Sequence, residues 1–101
     1  MSKIILKANS SITTDEVESF KQNLENGLEK TNTVVVDFSE TKLICSSGIG
    51  VLISALKAAK QKGGAIDLII PQSNVEITQI FNITRLNKVF NIFNSAAEYG
   101  N

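Results

Sequence analysis

Residues 33–50 read TVVVDFSETKLICSSGIG, and this stretch decides the fold. Its first part, 33–38, is β-branched and nearly continuously apolar, which is typical of a strand covered on both faces. After a short polar excursion, the apolar pair at 43–44 leads directly into CSSGIG at 45–50. The stretch therefore predicts a central strand, then a strand-to-helix junction that carries two hydroxyls and two glycines.

The junction contains the most informative candidate residues, Ser46 and Ser47. A helix N-terminus has backbone N–H groups without intrahelical partners and a partial positive charge, so it stabilises an anion or a phosphorylated serine. This predicts a corner that bears or binds phosphate. The alternative is that one serine only caps the helix, a role that contributes about 1 kcal/mol.

The sequence before residue 33 predicts one strand and one helix. Residues 4–6 form a short apolar run, typical of an edge strand. A helix is predicted from an N-cap at Thr13 or Thr14 to about Glu29. Its core stripe repeats at intervals of three and four residues, through Val17, Phe20, Leu24 and Leu28.

The sequence after the junction continues the alternation of helices and strands. A helix is predicted from about Ser47 to Lys62, stopped by Gly63 and Gly64, with its inward residues at Ile49, Leu52, Ile53, Leu56 and Ala59. Residues 65–70 predict a buried strand that ends at Pro71. Such an order implies crossover connections and a largely parallel or mixed sheet in an α/β fold.

The last third of the chain predicts a third helix, a strand and a terminal turn. The helix would be capped by Ser73 or Asn74 and would carry Val75, Ile77, Ile80, Phe81 and Ile83. Residues 89–93 alternate as a short strand, and 95–99 predict a helical turn. We interpret the aromatic residues here as core, namely Phe81, Phe90 and Phe93.

Composition limits the class of protein. The chain has 101 residues, of which 43% are hydrophobic, with ten basic and ten acidic side chains. These values predict a single domain over residues 1–101, and a balanced charge argues against nucleic-acid and membrane partners. A lone cysteine cannot form an internal disulfide, and no apolar run approaches the roughly 18 residues of a membrane span. We therefore expect a cytoplasmic protein.

The missing residue types argue against an enzyme. The chain has no histidine, which removes the usual activation of serine and cysteine nucleophiles and the commonest transition-metal ligand. Ser46 and Ser47 lack the nucleophile-elbow spacing, and the glycines form no nucleotide fingerprint. We predict no catalytic residue, metal or cofactor. Asp15, Glu16 and Glu18 fall in the first turn of the first predicted helix, where they favour its dipole.

Residues 34–39, 44–52, 63–64 and 82–93, taken in order, resemble a STAS domain, and most of all the bacterial anti-sigma factor antagonists. The SSGIG corner and the late TRLNKVFNIF segment carry most of the resemblance. It implies a mixed four- or five-stranded sheet with helices packed mainly on one side. It also implies a role in transcription regulation, including the bacterial stress response.

The resemblance further implies a switch at the corner. In that family an anti-sigma factor with serine kinase activity phosphorylates the first serine of the pair, which is Ser46 here, with Ser47 as second choice. The unphosphorylated protein binds the anti-sigma factor and releases a sigma factor, and a serine phosphatase would reset Ser46. The partner-binding residues implied are Thr13, Cys45, Ser46, Ser47, Gly48, Ile49 and Gly50.

Two departures from the family pattern fall beside this site. An aspartate usually precedes the acceptor, and a second occurs in the N-terminal segment, but this chain has Cys45 and Thr13 there. If those carboxylates organise the acceptor hydroxyl or the kinase's magnesium and phosphates, Ser46 would be phosphorylated poorly and binding could persist without switching. A non-switching STAS scaffold or ligand-binding module is thus the alternative. An enzyme with Ser46 or Cys45 as nucleophile ranks third.

Three residues of the corner have more than one interpretation. Gly48 and Gly50 fit either tight helix–strand packing or close approach of a partner. Cys45 at a helix N-terminus could be a redox sensor, but a small buried hydrophobic residue is the commoner role for a free cysteine. The spacing of the sequence leaves the choice for the glycines open.

Overall fold

The main sheet has four parallel strands. In the computed structural model, which describes residues 3–99, the strands are Ile4–Lys7 (β1), Ser11–Ile12 (β2), Thr33–Asp37 (β3), Leu43–Ile44 (β4), Ala65–Ile69 (β5) and Asn91–Phe93 (β6). The helices are Val17–Lys30 (α1), Ser46–Gln61 (α2), Val75–Ile83 (α3) and Ala96–Tyr99 (α4), with a 3₁₀ turn at Leu86–Lys88.

The sheet order is β1-β3-β5-β6, and every pairing in it is parallel. The α/β class is therefore confirmed. The sheet is parallel throughout instead of mixed, because each connection between neighbouring strands crosses over through a helix: α1, then α2, then α3. As predicted, residues 33–38 form the centre, and Val34, Val35 and Val36 are fully buried.

The three longer helices cover one face of the sheet. Val34 and Val36 point into the main hydrophobic cluster with the buried faces of α1, α2 and α3. The predicted stripes of α1 and α2 are confirmed, with Phe20, Leu24 and Leu52 among their buried residues. Of the helices described between residues 3 and 99, the four-residue α4 alone lies on the other face, so the helices pack mainly on one side, as expected.

A second, two-stranded sheet was not predicted. β2 and β4 pair in parallel, with Ile12 beside Ile44. β2 precedes α1 and β4 precedes α2, so the pairing of these strands brings the N-termini of the two helices together.

Several predicted element bounds need correction. α1 begins at Val17 with Glu16 at the N-cap, not at Thr13 or Thr14. β6 begins at Asn91, because the preceding residues continue the 3₁₀ turn through the hydrogen bonds of the Val89 and Phe90 N–H groups to the Leu86 carbonyl.

The apolar residues predicted for α3 are divided between its two faces. Val75 and Ile83 are exposed, while Ile77 and Phe81 are buried. Val75 lies two residues before Ile77, and Ile83 lies two residues after Phe81. Two residues correspond to about 200° around a helix, so Val75 and Ile83 face away from the buried side of α3.

Phe93 also departs from the prediction. Phe81 and Phe90 belong to the hydrophobic cluster, but Phe93 is half-buried on the opposite face of the sheet against the ring of Tyr99. None of the helices described within residues 3–99 is long and apolar enough to cross a membrane.

Candidate functional site

The small sheet fixes the path of the chain into α2. The N–H groups of Lys42 and Cys45 donate to the carbonyls of Ser10 and Ile12, each at 2.8 Å. Cys45 then takes the N-cap position with an extended backbone (φ −81°, ψ 168°), and its carbonyl accepts the Ile49 N–H at 3.1 Å. We call residues 45–50, together with Thr13, the corner.

Ser46 and Ser47 are the first two residues of α2, and both are exposed. Neither caps the helix, because the cap position with its extended backbone belongs to Cys45, whose side chain makes no capping hydrogen bond. The alternative of a capping serine is therefore wrong, and the predicted start at Ser47 moves to Ser46. Across residues 3–99, neither serine hydroxyl has a hydrogen-bond partner. Both hydroxyls are free to react or to be covered by another molecule.

The two glycines of the corner have different roles. Gly48 is buried, and a Cβ there would lie 2.9 Å from Ile44 Cγ1 and 3.1 Å from Ile12 Cγ2. Its lack of a side chain thus serves the packing of α2 on the small sheet. Gly50 is exposed, with no atom within 4 Å of a Cβ position, so packing does not explain it.

Thr13 follows β2 as Cys45 follows β4, and it binds a carboxylate. The Cys45 N–H bond to the Ile12 carbonyl is one of the bonds of the Ile12–Ile44 pair, the last pair of the small parallel sheet. The N–H and Oγ1–H of Thr13 both donate to Glu16 Oε1, at 2.8 and 2.5 Å. These bonds, that of the hydroxyl above all, hold the pKa of the Glu16 carboxyl below its usual value.

The contact of Glu16 with the corner was not predicted, because a helix-dipole role already explains an acidic residue at this position. The signal that could have found it is the Thr13-Thr14-Asp15-Glu16 spacing, since a Glu three residues after a Thr can bond back to its N–H group.

Leu43 was also missed. Its side chain is 49% exposed, two residues before Cys45, although its neighbour Ile44 is buried. Alternation along a strand turns Leu43 outward. Cys45 itself is half-buried, so the expectation of a buried cysteine is met only in part.

The loop before the corner is held by Asn74. The buried Asn74 side chain donates from Nδ2 to the carbonyls of Phe38 and Thr41, at 2.9 and 2.7 Å. Its Oδ1 accepts the Ile77 N–H at 3.3 Å, which confirms the predicted cap of α3. Thr41 is fully buried and donates to the Asn9 carbonyl at 2.7 Å. Residues 38–41 are therefore fixed from two sides.

A groove of about 450 Å³ runs between α1 and α2 from the corner. Its floor is apolar, with Leu24 and Leu28 from α1 and Val51 and Ala55 from α2. Ser47 and Gly50 lie at its edge, so the groove and the corner form one continuous surface.

The parallel sheet with its longer helices on one face and the strand-to-helix corner define a class of small α/β domain, and a family comparison agrees. The STAS domain model matches residues 2–99, so the chain belongs to the STAS domain family.

Named relatives are similar over nearly the whole chain. A candidate anti-sigma factor antagonist from Thermotoga neapolitana is 27% identical over 97 residues, which are 94% of this chain and 84% of that protein. The crystal structure of a candidate anti-sigma factor antagonist from Thermotoga maritima, TM1081, superposes with a TM-score of 0.81 at 22% identity and covers 95% of this chain and 83% of that one. The NMR structure of TM1081 gives a TM-score of 0.75, also at 22% identity, over 94% of this chain and 77% of that one.

Proposed function

We propose that this protein is an anti-sigma factor antagonist that is switched by phosphorylation of Ser46. The unphosphorylated protein binds an anti-sigma factor with serine kinase activity and so releases a sigma factor. One observation carries the proposal: in a STAS fold, Ser46 presents an exposed hydroxyl at the N-terminus of the 16-residue α2, and this hydroxyl has no hydrogen-bond partner among residues 3–99. The relatives named as candidate antagonists support the partner class.

The physical basis of the switch is charge at a covered surface. Phosphorylation adds about −1.5 to −2 charges and three acceptor oxygens. The partner surface we propose consists of the exposed part of the corner with its apolar neighbour, namely Leu43, Ser46, Ser47 and Gly50. A partner that packs on Leu43 and Gly50 must remove water from Ser46, so a phosphate there makes the complex costly.

The proposed function also implies a non-catalytic role, a location and further partners. It is a substrate and a ligand, not a catalyst, and it acts in bacterial transcription regulation in the cytoplasm. A serine phosphatase resets Ser46. Nucleic acid is not a partner, because the ten basic and ten acidic side chains leave no net positive charge to attract it.

The first experiment is phosphopeptide mass spectrometry on the protein purified from its native cells, at rest and under stress. Phosphate on Ser46 that changes with condition, together with a co-purifying kinase-type anti-sigma factor, supports the switch. Ser46→Ala should abolish the phosphate, and Ser47→Ala should leave it in place. Loss of phosphate in Ser47→Ala with the fold intact would move the acceptor to Ser47.

A second candidate is a ligand-binding or scaffold STAS module that does not switch. The groove between α1 and α2 favours it, because its apolar floor can accept part of another molecule. Native mass spectrometry of the purified protein tests this alternative. A small molecule retained by the wild type and lost in Val51→Asp, with Ser46 unmodified under both conditions, would support the module over the switch.

A further inference from the structure

Glu16 is the N-cap residue of α1, and its carboxylate binds Thr13 of the corner. Its Oε1 accepts both the N–H and the hydroxyl of Thr13, so the side chain is tied to the residue that follows β2, the strand paired with β4. The carboxylate is therefore held at the end of the small sheet where β4 leads through Cys45 into Ser46.

The hydrogen bonds leave part of this carboxylate available. Both bonds from Thr13 go to Oε1, and no bond to Oε2 occurs within residues 3–99. The same bonds favour the ionised form of the side chain. Glu16 thus presents a charged oxygen at a fixed position, which is the chemistry that a metal cation or a basic side chain recognises.

We infer that Glu16 is a positioning residue for phosphoryl transfer to Ser46, and that its carboxylate engages a cation of the kinase partner. This inference rests on the proposed function. The cation has two possible sources, the divalent metal that accompanies the nucleotide or a Lys or Arg side chain of the kinase. In either case Glu16 supplies a carboxylate next to the corner, whereas the residue before the acceptor, Cys45, has no carboxylate.

The experiment compares Glu16→Gln with Glu18→Gln. Gln keeps an oxygen that accepts from Thr13, and Glu18 is an exposed carboxylate on α1, so its variant controls for the loss of one charge. Each purified chain is incubated with ATP, Mg²⁺ and the kinase fraction that co-purifies with the wild type from its own cells, and Ser46 phosphate is followed by mass spectrometry. We expect Glu16→Gln to lower kcat/KM at least about tenfold, the loss of one charge-assisted contact, and Glu18→Gln to leave it unchanged.

The source of the cation follows from two arms of the same assay. A raised Mg²⁺ requirement in Glu16→Gln identifies the metal. A raised KM for the protein at an unchanged Mg²⁺ requirement identifies a basic side chain. Thr13→Val is a second variant that keeps the charge and the N–H bond but removes the hydroxyl bond to the carboxylate, and an intermediate rate is expected. Thermal melts confirm that each variant is folded.

The negative outcomes separate the two proposals. Equal rates for Glu16→Gln and wild type overturn the role of Glu16 and leave the switch at Ser46 intact. An absence of phosphate on wild-type Ser46 with an active kinase fraction rejects the proposed function, and the role of Glu16 with it.

Discussion

At the scale of single residues, the two glycines of α2 make opposite predictions. Gly48→Ala places a Cβ 2.9 Å from Ile44 Cγ1, whereas Gly50→Ala meets no atom within 4 Å. Overpacking costs typically 1–3 kcal/mol, so we expect Gly48→Ala to lower the free energy of unfolding by about 1–2 kcal/mol after the gain in helix propensity. Gly50→Ala should raise it by about 1 kcal/mol through helix propensity alone.

Urea unfolding of the two variants beside wild type measures both changes. Each is the other's control, since both replace a glycine by alanine in the first turns of the same helix. If Gly48→Ala is as stable as wild type, the Ile44 side chain must move to accommodate the added Cβ, and the corner is not tightly packed. If Gly50→Ala is stable but weakens partner binding, Gly50 belongs to the contact surface.

Ser46→Asp should change stability and binding in opposite directions. The first turn of α2 contains no acidic residue, so a negative charge there interacts favourably with the helix dipole, worth about 0.3–1 kcal/mol. The same charge should weaken binding of the anti-sigma factor, because the partner must cover it. Thermal melts and a binding titration give the two readouts, and Ser46→Asn is the matched control, because Asn has the size of Asp without its charge. Unchanged affinity in Ser46→Asp would count against the switch.

At the scale of elements, the stability of the corner depends on how α3 is attached. Asn74 joins the start of α3 to the carbonyls of Phe38 and Thr41. Asn74→Ala removes these bonds and the helix cap and leaves a buried carbonyl without its partner, so we expect a loss of about 2–3 kcal/mol. Asn82→Ala, an exposed asparagine of the same helix, should stay within about 0.5 kcal/mol of wild type.

Chemical denaturation of the two variants tests this attachment. Hydrogen exchange adds a local readout, because residues 38–41 should lose protection in Asn74→Ala. Equal stability of both variants would show that the loop is held without Asn74.

The stability that Glu16 contributes at the start of α1 should decrease at acidic pH. The bonds from Thr13 hold the pKa of Glu16 below its usual value, so the native state favours the ionised carboxylate. Its contribution to stability is present above the pKa of the unfolded chain and is lost as the pH falls through the lower native pKa. We expect the difference in Tm between wild type and Glu16→Gln to be largest near pH 6 and to shrink below about pH 4.5, the ordinary value of a glutamate. A difference that stays constant down to pH 3 would contradict the bonds to Thr13.

The elements that could be predicted from the sequence are those with a repeated pattern. The stripes of α1 and α2 and the apolar runs of β3 and β5 each contain several residues of one period, so their type and burial followed from spacing. β2 has two residues and pairs with β4, more than 30 positions away along the chain. No periodicity marks such a pairing, and the position of Thr13 at the end of the small sheet depends on it. The position of Ser46 near the start of α2 could thus be predicted, whereas the position of Thr13 and its partner Glu16 next to the end of β4 could not.

At the scale of the whole molecule, the sheet separates a helical face from a second face that the sequence did not predict. On the second face, Asp67 lies beside Val35 in the sheet register and is 8% exposed. Tyr99 of α4 donates its hydroxyl to Asp67 at 2.8 Å, and its ring lies edge-on to Phe93 at 4.8 Å. A buried aspartate in an apolar strand is stable only with such partners. The four-residue α4 therefore covers the face opposite the corner's helices.

This second face should make the protein sensitive to alkali through Tyr99. Burial, with the hydrogen bond to Asp67 and its charge, raises the pKa of Tyr99 to about 12 from 10.0. The native state thus favours the neutral phenol, and its contribution to stability is complete below pH 10 and is lost as the pH rises through about 12. We expect wild type to lose Tm over this window more steeply than Tyr99→Phe, which keeps the ring against Phe93 but has no group to titrate. At pH 7 the variant should be the less stable by about 1 kcal/mol, the usual net worth of one hydrogen bond. Parallel slopes from pH 10 to 12 would mean that α4 does not cover Asp67 in solution, and that this face of the sheet is open to a partner.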